Sequence, residues 1–158
     1  MGADIFLKID GIPGESFAKD HKDEIDILSW SWGASQQASM HLGGGAGKGR
    51  STVNDIVFTK GTDMATNKLY TACLTGQHIK EMTLSCNKAA GDGRVEFIKT
   101  KLESCYITSI STSASSGAEY MENFSVTFAK VSQDYVKQDD TGKKTGNNNF
   151  TYDVKSNA

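Results

Sequence analysis

The sequence predicts a mainly β fold, an antiparallel barrel or sandwich with one α-helix. Three observations carry this. Apolar and polar residues alternate over many short segments, the signature of half-buried strands. Turn-forming residues separate these segments at short spacing. The apolar period changes from two to that of a helix only once, between residues 60 and 76.

Taken in order, residues 4–9 alternate, with Ile5, Leu7 and Ile9 opposite Phe6 and Lys8. Asp10-Gly11-Ile12-Pro13-Gly14 reads as a turn, because Pro presets one dihedral and Gly allows positive φ. Residues 19–24, KDHKDE, read as a charged, solvated connection that includes His21. The next strand places Leu28, Trp30 and Trp32 on one face, expected in the core, and Ile27, Ser29 and Ser31 on the other. Gly33 ends it. A loop rich in Gly, Ser, Gln and Ala follows over residues 34–51, long enough to imply a use. Residues 53–59 form a third strand with Val53, Val57 and Phe58 apolar.

Asp63 or Thr66 is expected to cap a helix running to about Thr75, with Leu69, Ala72 and Cys73 on its apolar stripe and Gly76 at its left-handed end. Residues 79–87 place Met82, Leu84 and Cys86 on one face. Residues 95–111 form a long strand with Ile98, Leu102 and Tyr106 as core face and a bulge near Cys105. Residues 111–117 read as a flexible loop. Residues 120–135 alternate Phe124, Val126 and Phe128 against Ser125 and Thr127. Residues 139–149, polar and rich in Gly and Asn, read as a mobile loop, and residues 150–155 as a closing strand. Residues 1–158 are expected to form one domain.

Composition narrows the function. No apolar run is long enough to span a membrane. The formal net charge of −2 gives no support for nucleic acid or anionic lipid as partner. The first residues, with Asp4 and Lys8 where an apolar stretch belongs, do not read as a signal peptide. The three cysteines, Cys73, Cys86 and Cys105, lack metal-like spacing and read as reduced, mostly buried thiols.

Catalytic patterns are sought without result. The glycines of HLGGGAGKGRS miss a phosphate-binding loop, since Lys48 precedes Gly49 and Leu42 stands where the first Gly belongs. Gly14-Glu15-Ser16-Phe17-Ala18 lacks the final Gly of a nucleophile elbow, and Ser16 reads as an ordinary exposed serine. His21, His41 and His78 are scattered, without paired spacing for zinc. His78, just after the helix cap, is placed to hold backbone carbonyls. No catalytic residue, metal or cofactor is expected, and a binding or assembly protein is the better class.

Several stretches, in order, resemble the haemolysin-coregulated protein (Hcp) family of bacterial type VI secretion: DIFLKIDGIPGES, DHKDEID, LSWSWG, MHLGGGAGKG, LYTACLTGQHIKEMTLSCNKAAGD and NFSVTFAKV. The resemblance covers residues 1–135. Family members often end on a Gly-Trp-Asp-Leu-like strand, where this chain has Phe150-Thr151-Tyr152-Asp153-Val154. The resemblance implies a β-barrel with one helix, a homohexameric ring, and stacking of rings into the inner tube that a contractile sheath expels. It implies secreted effector proteins in the lumen, sheath and spike components as partners, and passage from cytoplasm to exterior without a cleaved signal. It also places Ser29 and Ser31 on the lumen face against effectors. Met40, His41, Leu42, Gly43, Gly44 and Gly45 fall in a loop that reaches a neighbouring ring. The competing readings are a phage-tail-like tube or scaffold outside secretion, and a small hydrolase using Ser16 with a histidine.

Overall fold

The computed structural model describes residues 4–37, 50–90, 93–139, 141–156 and 158. Its strands are β1 (Asp4–Ile9), β2 (Ile25–Ile27), β3 (Ser29–Ser31), β4 (Ala34–Gln37), β5 (Arg50–Val53), β6 (Ile56–Gly61), β7 (Ile79–Ala90), β8 (Gly93–Ser113), β9 (Met121–Gln138) and β10 (Lys144–Asp153). One helix, α1 (Thr66–Thr75), lies between β6 and β7.

The main sheet runs β2-β1-β7-β8-β9-β6-β3, and every pairing is antiparallel. Its two end strands, β2 and β3, are consecutive in the chain and separated by Leu28 alone. The sheet therefore comes round on itself as a barrel, with one segment serving both edges. Residues 25–27 pair with β1, the Leu28 amide donates to the Thr59 carbonyl at 2.8 Å, and residues 29–31 pair with β6. Closure removes the unpaired edges an open sheet would present. The interior is filled by Leu7, Ile25, Ile56, Phe58, Met82, Leu84, Leu102, Phe124 and Val126. Phe58 and Phe124, cross-strand partners on β6 and β9, stack at 5.1 Å.

The crossing at Leu28 corrects one expectation. Ile25 and Ile27 point inward, but beyond Leu28 the inward set becomes Trp30 and Trp32, both half-buried. Leu28 itself is 57% exposed, and Ile27, assigned to the outer face, is buried. The bend interrupts the period of two, so Leu28 does not share the face of the tryptophans.

A second change of phase lies in β8. Thr100 and Leu102 are buried, then Cys105 and Ile107. Between them Ser104 adopts a left-handed φ of 57°, an irregularity beside the expected bulge, while the register against β9 shifts further on, between Ile107 and Ser109. Tyr106, expected inside, is consequently 41% exposed.

The helix occupies the predicted residues. Leu69 and Ala72 are buried and Gly76 takes a left-handed φ of 63°, its amide directed to the last carbonyls. Its start differs from expectation: Ala65 occupies the N-cap position with no side-chain cap. Asp63 and Thr66 instead bond around the preceding turn, Asp63 Oδ1 accepting from the Ala65 amide and Thr66 Oγ1 from the Asp63 amide.

Three further boundaries move. The strand expected over residues 53–59 divides at Asn54 and Asp55 into β5, paired with β4 in a separate two-stranded arm, and β6 of the barrel. β8 continues through Ser113, into the expected loop at 111–117. The expected loop over 139–149 is largely strand: β10 pairs with residues 130–138 of β9. The turn before β10 is held by Asp139, whose carboxylate accepts from the Thr141 amide and hydroxyl and from the Lys143 amide. The Thr141 hydroxyl, foremost, keeps that carboxyl below its ordinary pKa.

Candidate functional site

The pairing of β3, β6, β9 and β8 aligns residues into rows across the barrel wall. One row reads Trp30, Phe58, Phe124, Ile110, and its side chains are buried or half-buried. The row on one side reads Ser29, Thr59, Asn123, Ser111. The row on the other reads Ser31, Val57, Ser125, Ser109. Successive residues of a strand point to opposite faces, so both flanking rows lie on the outer face of the wall. All eight positions are exposed or half-exposed, and seven carry a short polar side chain. Together they form a flat small-polar surface four strands wide, without a lysine, arginine or glutamate in either row.

Most of these side chains pair among themselves. Thr59 Oγ1 donates to Asn123 Oδ1 at 2.6 Å. The Ser125 hydroxyl lies 2.5 Å from that of Ser109 and 2.7 Å from that of Thr108, which also donates to Asp55 Oδ2 at 2.7 Å. The Ser29 and Ser31 hydroxyls, in contrast, take no hydrogen-bond partner among the described residues. With Ser111, which likewise takes no partner among the described residues, they are hydroxyls of this wall open to another molecule. Ser29 and Ser31 thus lie together on one exposed face, as the alternation predicts.

The wall ends at a buried polar cluster. Lys60 and Glu122, one step beyond the Thr59–Asn123 pair, are cross-strand partners pointing inward, each 0% exposed. Lys60 Nζ lies 2.9 Å from Glu122 Oε1 and 2.8 Å from Asp63 Oδ1. Thr62 donates to Glu122, and Thr66 Oγ1 lies 2.9 Å from both its carboxylate oxygens. One ammonium meets two carboxylates and their hydrogen bonds are made within the cluster, which makes it a structural tie between β6, β9 and the start of α1.

At the far end of β3 the chain leaves the barrel. The Trp32 indole N–H donates to the Asn54 carbonyl at 2.9 Å, and its ring stacks on Phe150 at 6.1 Å. β4 and β5 follow from this point and pair as a separate two-stranded arm. Met40, His41, Leu42, Gly43, Gly44 and Gly45 lie outside the described residues. Beneath the arm is an apolar cleft of about 390 Å³ lined by Trp32, Val53, Val131, Phe150 and Tyr152, among others.

The histidines and Ser16 differ from expectation. His21 is 9% exposed rather than solvated: its ring stacks on Phe6 at 4.4 Å. Its Nδ1 lies 3.0 Å from Glu24 and its Nε2 3.0 Å from the Asn87 amide nitrogen. A run of charged neighbours hid an aromatic that fills the gap over Phe6. His78 meets the Ser104 hydroxyl at 2.7 Å instead of backbone carbonyls. Ser16 is 1% exposed and accepts from the Ala18 amide at 3.2 Å, so it is not an exposed serine. Among the described residues no group of three or more His, Cys, Asp or Glu converges as a metal site.

Sequence reading missed Thr59, Asn123, Ser109 and Ser111 as neighbours of the two serines. Ser125 carried a signal, its alternation against Phe124 and Val126, but its partner across the wall is set by register.

Residues 6–135 match the family described as "Type VI secretion system effector, Hcp". The chain is 40% identical over 147 residues to the protein hcp1 of Pseudomonas aeruginosa, covering 92% of this chain and 91% of that protein. Among solved structures, one titled as a type six secretion system protein superposes with a TM-score of 0.91 at 28% identity, covering 99% of each chain. Hcp1 from Salmonella typhimurium superposes with a TM-score of 0.83 at 34% identity, covering 99% of this chain and 98% of that one. Matched over most of its length in both sequence and barrel, this chain belongs to the Hcp family of the type VI secretion system.

Proposed function

We propose that copies of this chain close into a homohexameric ring, stack into the inner tube of a type VI machine, and present Ser29 and Ser31 to effector proteins in the lumen. The small-polar wall carries this reading. A transport surface must hold varied cargo without trapping it. Short hydroxyls hydrogen-bond many partners and offer no deep pocket, and repetition around a ring multiplies each weak contact. In this reading the chain is a structural subunit rather than an enzyme. It meets sheath and spike components, leaves the cytoplasm when the machine fires, and uses the loop bearing Met40, His41, Leu42, Gly43, Gly44 and Gly45 to join stacked rings. The pairing of β4 with β5, the two strands that this loop joins, supports it.

Co-purification of a secreted effector with wild-type and Ser31→Gln rings tests the wall. The expected result is intact rings with reduced effector recovery; equal recovery places the cargo contact elsewhere. Deleting residues 41–47 should leave rings intact and impair tube formation and secretion.

A further inference from the structure

Two surface features are not used by the fold or the wall. The first is Phe17, 97% exposed. Its backbone is held on both sides: the Gly14 amide donates to the Asp23 carbonyl at 2.7 Å, the Ser16 amide to Glu24 at 3.0 Å, and the Asp23 amide to Ser16 at 2.9 Å. A large aromatic thus projects from a pinned loop with almost none of its own chain covering it. Leu28, 57% exposed, lines the same depression over β1 and β2. The second feature is the apolar cleft under the arm, where Trp32 and Phe150 stack in parallel and Phe150 remains 41% exposed.

The two lie on different flanks of the barrel. Phe17 sits over β1 and β2, and the cleft over β9 and β10. Between β1 and β9 stand β7 and β8 in one direction, and β6 with the β2–β3 segment in the other. A knob and a hole on different flanks suit head-to-tail association, the kind that closes into a ring when the rotation permits. A patch that pairs with itself gives a two-fold dimer instead. The rims also differ in charge. Glu15 and Asp26 lie beside Phe17 as two carboxylates, and burial, foremost, then Asp63 and Glu15 hold Asp26 above its ordinary pKa. Lys155 is exposed three residues beyond Tyr152 of the cleft.

We propose that Phe17 of one copy inserts into the Trp32–Phe150 cleft of the next copy around the ring. This rests on the ring reading above and adds the contact that closes it. The knob meets stacked aromatic faces, and the acidic rim meets Lys155.

The test combines two variants of the full chain. In Phe17→Cys/Thr52→Cys, made in a Cys73→Ser background because Cys73 is the one native cysteine that is not buried, the second cysteine is on the exposed lining of the cleft. Mild oxidation should give a ladder of covalent multimers on denaturing gels, absent from either single variant. Phe17→Ala should keep the wild-type circular dichroism spectrum, because the side chain is uncovered, and should raise the concentration at which native mass shows ring assembly by roughly tenfold or more, as for a central interface aromatic. If wild-type rings form but Phe17→Ala assembles at the same concentration and the double variant gives no ladder, the contact is wrong while the ring stands. The cleft would then belong to another occupant, such as a sheath component. A wild-type chain that stays monomeric removes the ring reading, and this contact with it.

Discussion

Lys60 and Glu122 face each other from neighbouring strands inside the barrel, 2.9 Å apart and each fully buried. Two opposite charges in a low-dielectric interior are tolerable only as a pair with their remaining hydrogen bonds met. Asp63, Thr62 and Thr66 meet them. The pair therefore acts less as glue than as a register pin: a one-residue slip between β6 and β9 would strand both charges.

Removing one partner should be far worse than removing both. Lys60→Met or Glu122→Leu alone is expected to lower stability by about 3–5 kcal/mol, through the uncompensated charge left behind. The Lys60→Met/Glu122→Leu double variant should recover a large part of that loss. Denaturant melts of all three decide the matter, and additive losses would mean the pair does not couple.

Gly14 is tied to close approach rather than to backbone freedom. A Cβ there would lie 2.6 Å from the Glu24 carbonyl oxygen and 2.7 Å from the Ile25 Cα, both main-chain atoms that a rotamer change cannot move. Gly14→Ala should cost about 1–3 kcal/mol as an overpacking change. Gly93→Ala, where nothing lies within 4 Å, should stay within about 0.5 kcal/mol. Thermal melts of the two compare them directly.

The thiols should react in a fixed order. Burial, foremost, pushes Cys105 up to about 12 and also raises Cys86, while Cys73 is half-buried on α1. Because the thiolate is the reactive form, native protein at pH 8 should expose one promptly modified thiol, Cys73, and denatured protein three. The same shift has a sign for stability. Folded Cys105 keeps its proton more tightly than the unfolded chain. Its contribution is whole below the ordinary thiol value of 9.0 and is lost as pH rises from there towards about 12. Thiol titration with and without denaturant checks the order.

Wall residues should matter little to folding. Thr59→Ala and Ser125→Ala remove partly solvated hydroxyl pairs, and each is expected to change stability by no more than about 1 kcal/mol. If either lost several kcal/mol, the wall would be a structural seam instead of a contact surface. Urea melts measure it.

The single helix, the alternating strands 4–9, 79–87 and 120–135, and the shared face of Ser29 and Ser31 were legible in the sequence, because each depends on a short period within one segment. The family was legible too, through the order of motifs. Less could be read wherever local pattern and global pairing part. β10 carries only polar side chains over residues 144–149, so no alternation marks that part; backbone pairing to β9 makes it a strand. Tyr106 kept the expected spacing from Leu102, but the left-handed turn at Ser104 moved it outside.

The sequence by itself determined that residues 4–9, 79–87 and 120–135 form strands, that one helix ends near Thr75, and that one face of the β3 strand is small and polar. These follow from neighbours a few residues apart, whose side-chain directions the local backbone sets. Only the tertiary structure decided that Leu28 is a hinge between two barrel edges, that His21 is buried on Phe6, that Lys60 meets Glu122, and that Ser31 shares a row with Ser125 and Ser109. Those relations join residues that are not neighbours in the chain. They exist only once closure of the sheet fixes the register, because pairing partners are chosen by burial of the whole barrel interior and not by either strand alone.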